Sequence, residues 1–415
     1  MLVEFTVENF LSFKERVTFS MEATKDDSLD KNIIDLNSKK KERLLKMAAI
    51  YGPNASGKSN LIRAIDFVIL GVQTSQSAPP GINISVIPFK LDRKNVDKPS
   101  NFEIVFIQKG IKYIYGFSLV PDRVIKEYLH YYPGNKLSKI FERNNTTEFK
   151  FNIDKTIQKS YVDKTGPTVL YLSRSAQLNY EKTLKAYEWF RNFAVIKPRF
   201  RDPSWVGFTA DQIEKNTGLK DGILDILRKS DLGILDINVH EKPIKDQNGF
   251  NNLPEDIKKK LMDQEIFEIK IFHKGKDKKG ETTTEIFDIS EESDGTKQVF
   301  EIIGPLMDVI AQEKVIIIDE LESHLHPHLV KNLLNLIWNS KNKNCQLIFT
   351  THQTFLLDQD LLRKDQVWFT EKKEDGSTNL FSLAEYIVPS DANVEKRYHA
   401  GRYGAIPKLL EGLIL

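Results

Sequence analysis

Val3-Glu4-Phe5-Thr6-Val7 alternates apolar and polar positions with the period of a half-buried strand. Val17-Thr18-Phe19-Ser20-Met21 repeats the pattern after a short turn, which predicts an N-terminal hairpin. Residues 25–43 are polar, carry Lys39-Lys40-Lys41, and read as a loop before the apolar strand Leu45 to Tyr51. Leu61, Ile62, Ile65, Val68 and Ile69 then recur with helical spacing. Strand patterns dominate from Phe102 to Ile153, among them Phe102–Ile107 and Tyr113–Phe117 on either side of Lys109-Gly110, and predict an antiparallel sheet. From Thr168 to Leu235 the period turns helical, in stretches such as Glu181 to Phe193 and Asp221 to Lys229, and an inserted helical lobe is expected. Phe267–Phe272 and Thr283–Ile289 predict another hairpin around the lysine-rich turn Lys274 to Gly280. The last third alternates: helix Lys297 to Gln312, strand Val315–Ile318, helix from Pro327 to about Asn339, strand Gln346 to Thr350. β-branched runs between helices predict a parallel sheet covered on both faces.

Composition adds limits. A chain of 415 residues with 40% apolar content has room for two or three domains. Sixty Lys and Arg against 58 Asp and Glu leave a net charge of +2, so the overall balance asks for no polyanion partner. Cys345 has no cysteine to pair with, which excludes an internal disulfide or thiolate cluster and suggests a reducing cytoplasm. No apolar run reaches the roughly 18 to 20 residues that cross a bilayer, and Glu4 and Glu8 stand where a secretory leader would be basic and then apolar. Neither secretion nor a membrane partner is expected.

The chemistry concentrates in Gly52-Pro53-Asn54-Ala55-Ser56-Gly57-Lys58-Ser59, which fits G-x-x-x-x-G-K-S between an apolar strand and a helix. The glycines let backbone amides converge on phosphates, and the helix N-terminus, entered through Ser59 and Asn60, adds a favourable dipole. Lys58 reaches the β- and γ-phosphates, and the Ser59 hydroxyl ligates Mg²⁺. Strand Val315–Ile318 delivers Asp319 and Glu320 at its C-terminal end, where open α/β sheets place ligands. Asp319 would hold Mg²⁺ through water and Glu320 would act as general base.

Glu291 to Gln298 contains Ser293 and Gly295 just ahead of a helix, a second anion site or simply a helix cap. Thr350-Thr351-His352 closes a strand with a histidine, which by itself reads as a structural strand end and which resembles the switch histidine that contacts the γ-phosphate in ABC-type ATPases. His324, His326 and His328 invite a zinc reading, but Pro327 breaks any strand there; the position after Glu320 resembles the D-loop of ABC-type heads, which makes a dimer contact followed by a helix start the leading alternative.

The order P-loop, Ser-x-Gly, Asp-Glu strand, His strand resembles ABC-type ATPase heads. Val7-Glu8-Asn9-Phe10-Leu11-Ser12-Phe13 and the P-loop are similar to the SMC-like and RecF-like branch. The whole length, and most particularly Tyr398-His399-Ala400-Gly401-Arg402-Tyr403-Gly404-Ala405-Ile406-Pro407, resembles AAA-type ATPases of the abortive-infection AbiLi-like class, encoded beside RloB-like Toprim proteins. The resemblance implies an α/β P-loop head of ABC type, with an antiparallel β lobe, a mixed or parallel core sheet and an inserted helical lobe. The expected divisions are residues 1–160, 161–260 and 261–415.

It further implies ATP and Mg²⁺ as ligands and a homodimer, or a higher even-numbered assembly. Lys58, Ser59, Asp319, Glu320 and His352 of one copy would face Ser293 and Gly295 of the other. A Q-loop glutamine has no clear place in Ile84-Ser85-Val86-Ile87-Pro88-Phe89-Lys90. Related overcoming-lysogenization-type nucleases carry a Toprim domain after the ATPase, and too few residues follow His352 for another domain of roughly 100 residues. A separate RloB-like effector in phage defence is therefore expected. The alternative is a RecF-like DNA-binding ATPase, with DNA held by Lys39-Lys40-Lys41, the Lys274 to Lys279 turn and Lys197-Pro198-Arg199-Phe200-Arg201.

Overall fold

The computed structural model describes residues 1–36, 42–79, 81–197, 203–215, 217–229, 233–246, 254–261, 265–340, 344–389 and 392–407. Lys39, Lys40, Lys41 and the segment 198–201 lie outside the described residues. Packing divides the chain into two compact units: residues 1–195, 313–320 and 337–415 form the first, 196–312 and 321–336 the second.

In the first unit, strands among the described residues pair in the order Glu148–Phe151, Ser138–Asn144, Arg123–Tyr132, Ile111–Val120, Ser100–Gln108, Leu2–Glu8, Val17–Ser20, each antiparallel to the next. Alternation drives this sheet: Phe102, Ile104 and Phe106 on one strand, and Tyr113, Tyr115 and Phe117 on its neighbour, are all buried. A second sheet runs Phe193–Ile196, Val315–Ile318, Gln346–Thr350, Met47–Tyr51, Val367–Lys372, Thr378–Ser382. From Val315–Ile318 to Val367–Lys372 the strands are parallel, and Thr378–Ser382 returns antiparallel. All five residues of Met47–Tyr51 and all four of Val315–Ile318 are buried, as the apolar runs require. Helix Lys58–Thr74 buries Leu61, Ile62, Ile65, Val68, Ile69 and Val72 in the core the two sheets share.

Register positions the site. Ile318 pairs with Phe349, Phe349 with Ala49, and Thr350 with Ile50, so Asp319, Thr351 and Gly52 leave the parallel sheet along one edge. This is the edge where α/β sheets bind ligands.

The compact division differs from boundaries at 160 and 260. Helices Tyr171–Gln177 and Glu181–Phe190 belong to the first unit, because Trp189 stacks on Phe106 at 4.2 Å and Phe190 meets both Phe106 and Tyr115 edge-on. Buried aromatic pairs add about 0.5–1.5 kcal/mol each beyond area burial, enough to recruit these helices to the antiparallel sheet. The helix expected to reach Phe193 stops at Phe190, and Phe193–Ile196 is a strand.

The second unit is not wholly helical. Helices Pro203–Lys215 and Thr217–Lys229 pack with Asp294–Gln312, where the Thr209 hydroxyl donates to the Phe300 carbonyl at 2.8 Å. An antiparallel sheet of Ile234–Pro243, Glu265–Lys276 and Thr282–Asp288 accompanies them. Among the described residues no helix is long and apolar enough to cross a membrane.

Candidate nucleotide site

Gly52 leaves its strand with φ 151°, Ala55 takes φ 62° and Gly57 φ 116°. A Cβ on Gly52 would stand 2.4 Å from the Thr370 carbonyl oxygen, and one on Gly57 would stand 2.2 Å from Thr378 Oγ1. Only glycine lets the loop pass so close to the strands beneath it. Gly57 is the cap residue of the 17-residue helix Lys58–Thr74, so the loop ends on the partial positive charge of a helix N-terminus. Asn54 and Ala55 are exposed at the loop tip, whereas Ser56, Gly57 and Lys58 are buried.

Hydroxyls lock the loop from below. Thr370 Oγ1 donates to the Tyr51 carbonyl at 3.2 Å and lies 2.6 Å from the Ser56 hydroxyl, which it can accept. Thr378 Oγ1 lies 2.8 Å from the Ser56 carbonyl and 2.7 Å from Ser12 Oγ, to which Asn60 Nδ2 donates at 2.8 Å. The Thr378 amide also donates to the Ser12 carbonyl at 2.7 Å. Nearby, Lys14 Nζ bridges Asp92 and Asp375, 3.1 Å from each. The Ser377 hydroxyl and amide, with Lys14, hold the Asp375 carboxyl down to about 2.

Lys58 Nζ donates to the carbonyls of Gly52 at 2.7 Å and Pro53 at 3.2 Å, folding the ammonium over the loop. Ser59 Oγ donates to Asp319 Oδ1 at 3.2 Å, and Thr350 Oγ1 donates to the same oxygen at 2.6 Å. The Thr350 hydroxyl in turn accepts the Glu320 amide at 2.7 Å. Glu320 has φ 53°, a left-handed conformation rare for a non-glycine residue and concentrated at functional sites. The first unit thus assembles Gly52, Pro53, Ser56, Gly57, Lys58, Ser59, Asn60, Asp319 and Glu320 around one edge. His352 projects exposed just past strand Gln346–Thr350.

Ser293 and Gly295 lie in the second unit. Ser293 Oγ accepts the Thr296 amide at 3.1 Å, so the serine caps helix Asp294–Gln312. A Cβ on Gly295 would be 3.0 Å from the His324 carbonyl oxygen. His324 has φ 58°, His326 and His328 stack at 5.2 Å, and all three are exposed. Pro327 opens helix Pro327–Trp338, as its fixed φ and missing amide favour.

Sequence reasoning did not pick out Ser12, Thr350, Thr370 or Thr378 as working hydroxyls. Ser12 and Thr350 stand inside quoted motifs, but Thr370 and Thr378 carry no local signal.

A cradle that excludes a Cβ, a buried ammonium, a helix N-terminus and a hard oxygen pair at Ser59 and Asp319 suit a nucleotide triphosphate with Mg²⁺. Residues 47–358 match the AAA-domain family described as candidate AbiEii toxins of type IV TA systems. The chain belongs to this AAA-domain family. Membership of an AAA-domain family implies nucleotide binding. No curated protein matches the chain.

Among solved structures, this AAA protein is similar to an SMC head bound to the C-winged helix domain of ScpA: 15% identity, TM-score 0.47, covering 92% of this chain and 97% of that one. An SMC head domain from Thermotoga maritima is 14% identical with TM-score 0.40, covering 92% and 98%. A head with an extended coiled coil, bound to the C-terminal domain of ScpA derived from Pyrococcus furiosus, is 14% identical with TM-score 0.43, covering 97% and 98%.

Proposed function

We propose that this chain hydrolyses ATP within a dimer closed on nucleotide and uses that cycle to control a separate effector. The relay Ser59–Asp319–Thr350–Glu320 carries the reading. It sets the residue suited to Mg²⁺, a second carboxylate and the P-loop helix along one sheet edge, with Glu320 fixed through its own backbone. Bound Mg²⁺ would offset phosphate charge. Lys58 and the amides of residues 57–59 hold the phosphates, Ser59 and Asp319 offer oxygen ligands, Glu320 takes the proton from the attacking water, and His352 contacts the γ-phosphate. Ser293 and Gly295 of a second copy complete the pocket, so nucleotide binding favours the closed dimer.

The effector reading draws on the family's description as toxins of toxin–antitoxin systems and on the resemblance of residues 398–407 to AbiLi-like proteins, with a Toprim RloB-like protein as effector in anti-phage defence. The RecF-like reading draws on the exposed Lys274, Lys276, Lys278 and Lys279 at one hairpin tip.

One experiment tests these together: ATP turnover and assembly size, with and without the neighbouring gene product and DNA, for wild type, Lys58→Ala and Glu320→Gln. Lys58→Ala should lose nucleotide binding. Glu320→Gln should keep binding, accumulate as a dimer and lose turnover by about 100-fold or more. Turnover of Lys58→Ala at the wild-type rate overturns the proposal, and DNA-stimulated, salt-sensitive turnover favours the RecF-like reading.

A further inference from the structure

The C-terminal run from Tyr398 to Pro407 has no part in the phosphate cradle, yet it packs against two segments that do. Helix Val394–His399 is capped by Asn393, whose Oδ1 accepts the Lys396 amide at 2.8 Å. From this helix, Glu395 Oε1 accepts the Thr354 hydroxyl at 2.6 Å, and His399 Nε2 lies 3.3 Å from the same hydroxyl. Tyr398 faces the sheet: its ring stacks on Phe369 at 5.5 Å and meets Tyr51 edge-on at 6.1 Å. Its hydroxyl donates to the Ala405 carbonyl at 2.9 Å, tying the following turn to the helix, and Tyr403 in that turn also stacks on Phe369.

Tyr51 is the last residue of the P-loop strand, and its hydroxyl donates to the Gln353 carbonyl at 3.2 Å. Gln353 and Thr354 are the two residues after His352. The segment bearing that histidine is therefore held from one side by the P-loop strand and from the other by the C-terminal helix. Residues 351–353 belong to no helix or strand, and each such residue left unfixed regains about 1–2 kcal/mol of backbone entropy. A group that must meet a γ-phosphate tolerates little of that freedom, since a 1 Å misplacement costs on the order of 100-fold in rate.

From these contacts we infer that Thr354 and Glu395 are positioning residues: the C-terminal helix fixes the His352 segment at the nucleotide site through the Thr354–Glu395 hydrogen bond. The inference rests on the ATPase reading for its catalytic consequence, while the mechanical link stands on the contacts themselves. It gives the Tyr398–Pro407 motif a task, with Tyr398 and Tyr403 as the buttress that seats the helix on Phe369.

The test compares Thr354→Val, which removes the hydroxyl at nearly constant volume, Thr354→Ser, which keeps it, and Glu395→Ala. Four readouts are taken in the full-length chain: kcat and KM for ATP hydrolysis, affinity for a fluorescent ATP analogue, melting temperature, and amide hydrogen exchange of peptides covering residues 351–357 and 52–60. Thr354→Val and Glu395→Ala should each lower kcat about ten-fold with affinity unchanged within about two-fold, and Thr354→Ser should restore kcat. Exchange should quicken at 351–357 and stay as in wild type at 52–60. Wild-type kcat and wild-type exchange in both damaging variants overturn the inference. So does a joint fall of kcat, affinity and melting temperature that Thr354→Ser does not rescue. Should the wild-type chain turn over no ATP, the ATPase reading falls, and exchange at 351–357 alone decides the positioning: unchanged exchange overturns it.

Discussion

Thr350 Oγ1 stands between the two carboxylate residues of the site, donating to Asp319 Oδ1 at 2.6 Å and accepting the Glu320 amide at 2.7 Å. One fully buried hydroxyl on the neighbouring parallel strand thus sets both the Asp319 side chain and the Glu320 backbone.

Thr350→Val keeps the shape and deletes that link. Two half-buried groups lose that hydrogen bond, at a cost of about 0.5–1.5 kcal/mol in stability for each. ATP turnover should fall about ten-fold or more, while Mg²⁺-free nucleotide affinity stays near wild type. Denaturant melts and single-turnover assays measure both, and wild-type turnover would remove Thr350 from the site.

Gly57→Ala introduces a Cβ 2.2 Å from Thr378 Oγ1 at a φ of 116°. Nucleotide binding should be lost, as read by a fluorescent ATP analogue. Adding Thr378→Ala clears the collision but leaves the backbone strain of about 1–3 kcal/mol, so recovery should be partial. Full recovery would show that the clash alone matters.

Glu127 is a buried carboxylate 3.7 Å from buried Arg143. It accepts the amides of Tyr171 at 2.7 Å and Leu172 at 2.9 Å and the Tyr115 hydroxyl at 3.0 Å, fixing the start of helix Tyr171–Gln177. Glu127→Ala leaves the buried Arg143 charge with only backbone carbonyls as partners and should destabilise the protein by about 3 kcal/mol in urea melts. Burial raises the carboxyl above its ordinary range, with Arg143 opposing. A raised folded value means that its contribution is fully present below the unfolded carboxylate range and declines as pH rises through the folded value. Glu127→Gln should therefore flatten the stability–pH curve over the range where stability falls with rising pH.

Asp375 behaves with the opposite sign. With its carboxyl held at about 2 by Ser377 and Lys14, its tether is present above the ordinary aspartate range and lost as pH falls through about 2. Lys14→Met should move the Asp375 midpoint upward in an NMR titration of the full chain. An unmoved midpoint would show that Ser377 alone holds it.

The P-loop was legible in sequence because its chemistry is local: spacing of glycines, lysine and serine inside one strand-to-helix turn dictates the conformation. The buried strands Val315–Ile318 and Gln346–Thr350 were legible because a run buried on both faces must be apolar throughout. The affiliation of helix Glu181–Phe190 was not, since helical periodicity says that a face is buried without naming the surface that buries it. Stacking of Trp189 on Phe106 supplied that surface. Ser293 shows the same division, its serine readable as a cap and its hydroxyl found capping.

The sequence by itself determined which residues form the glycine-rich loop and which strands form the parallel sheet, because loop conformation and two-sided burial are written in adjacent positions. Only the tertiary structure decided that Thr350, Thr370 and Thr378 hold the site and that the C-terminal helix grips Thr354. A threonine hydroxyl has no periodicity to betray it. Its partner is chosen by strand register and helix docking, as between Ser56 and Thr378, which stand 322 positions apart in the chain.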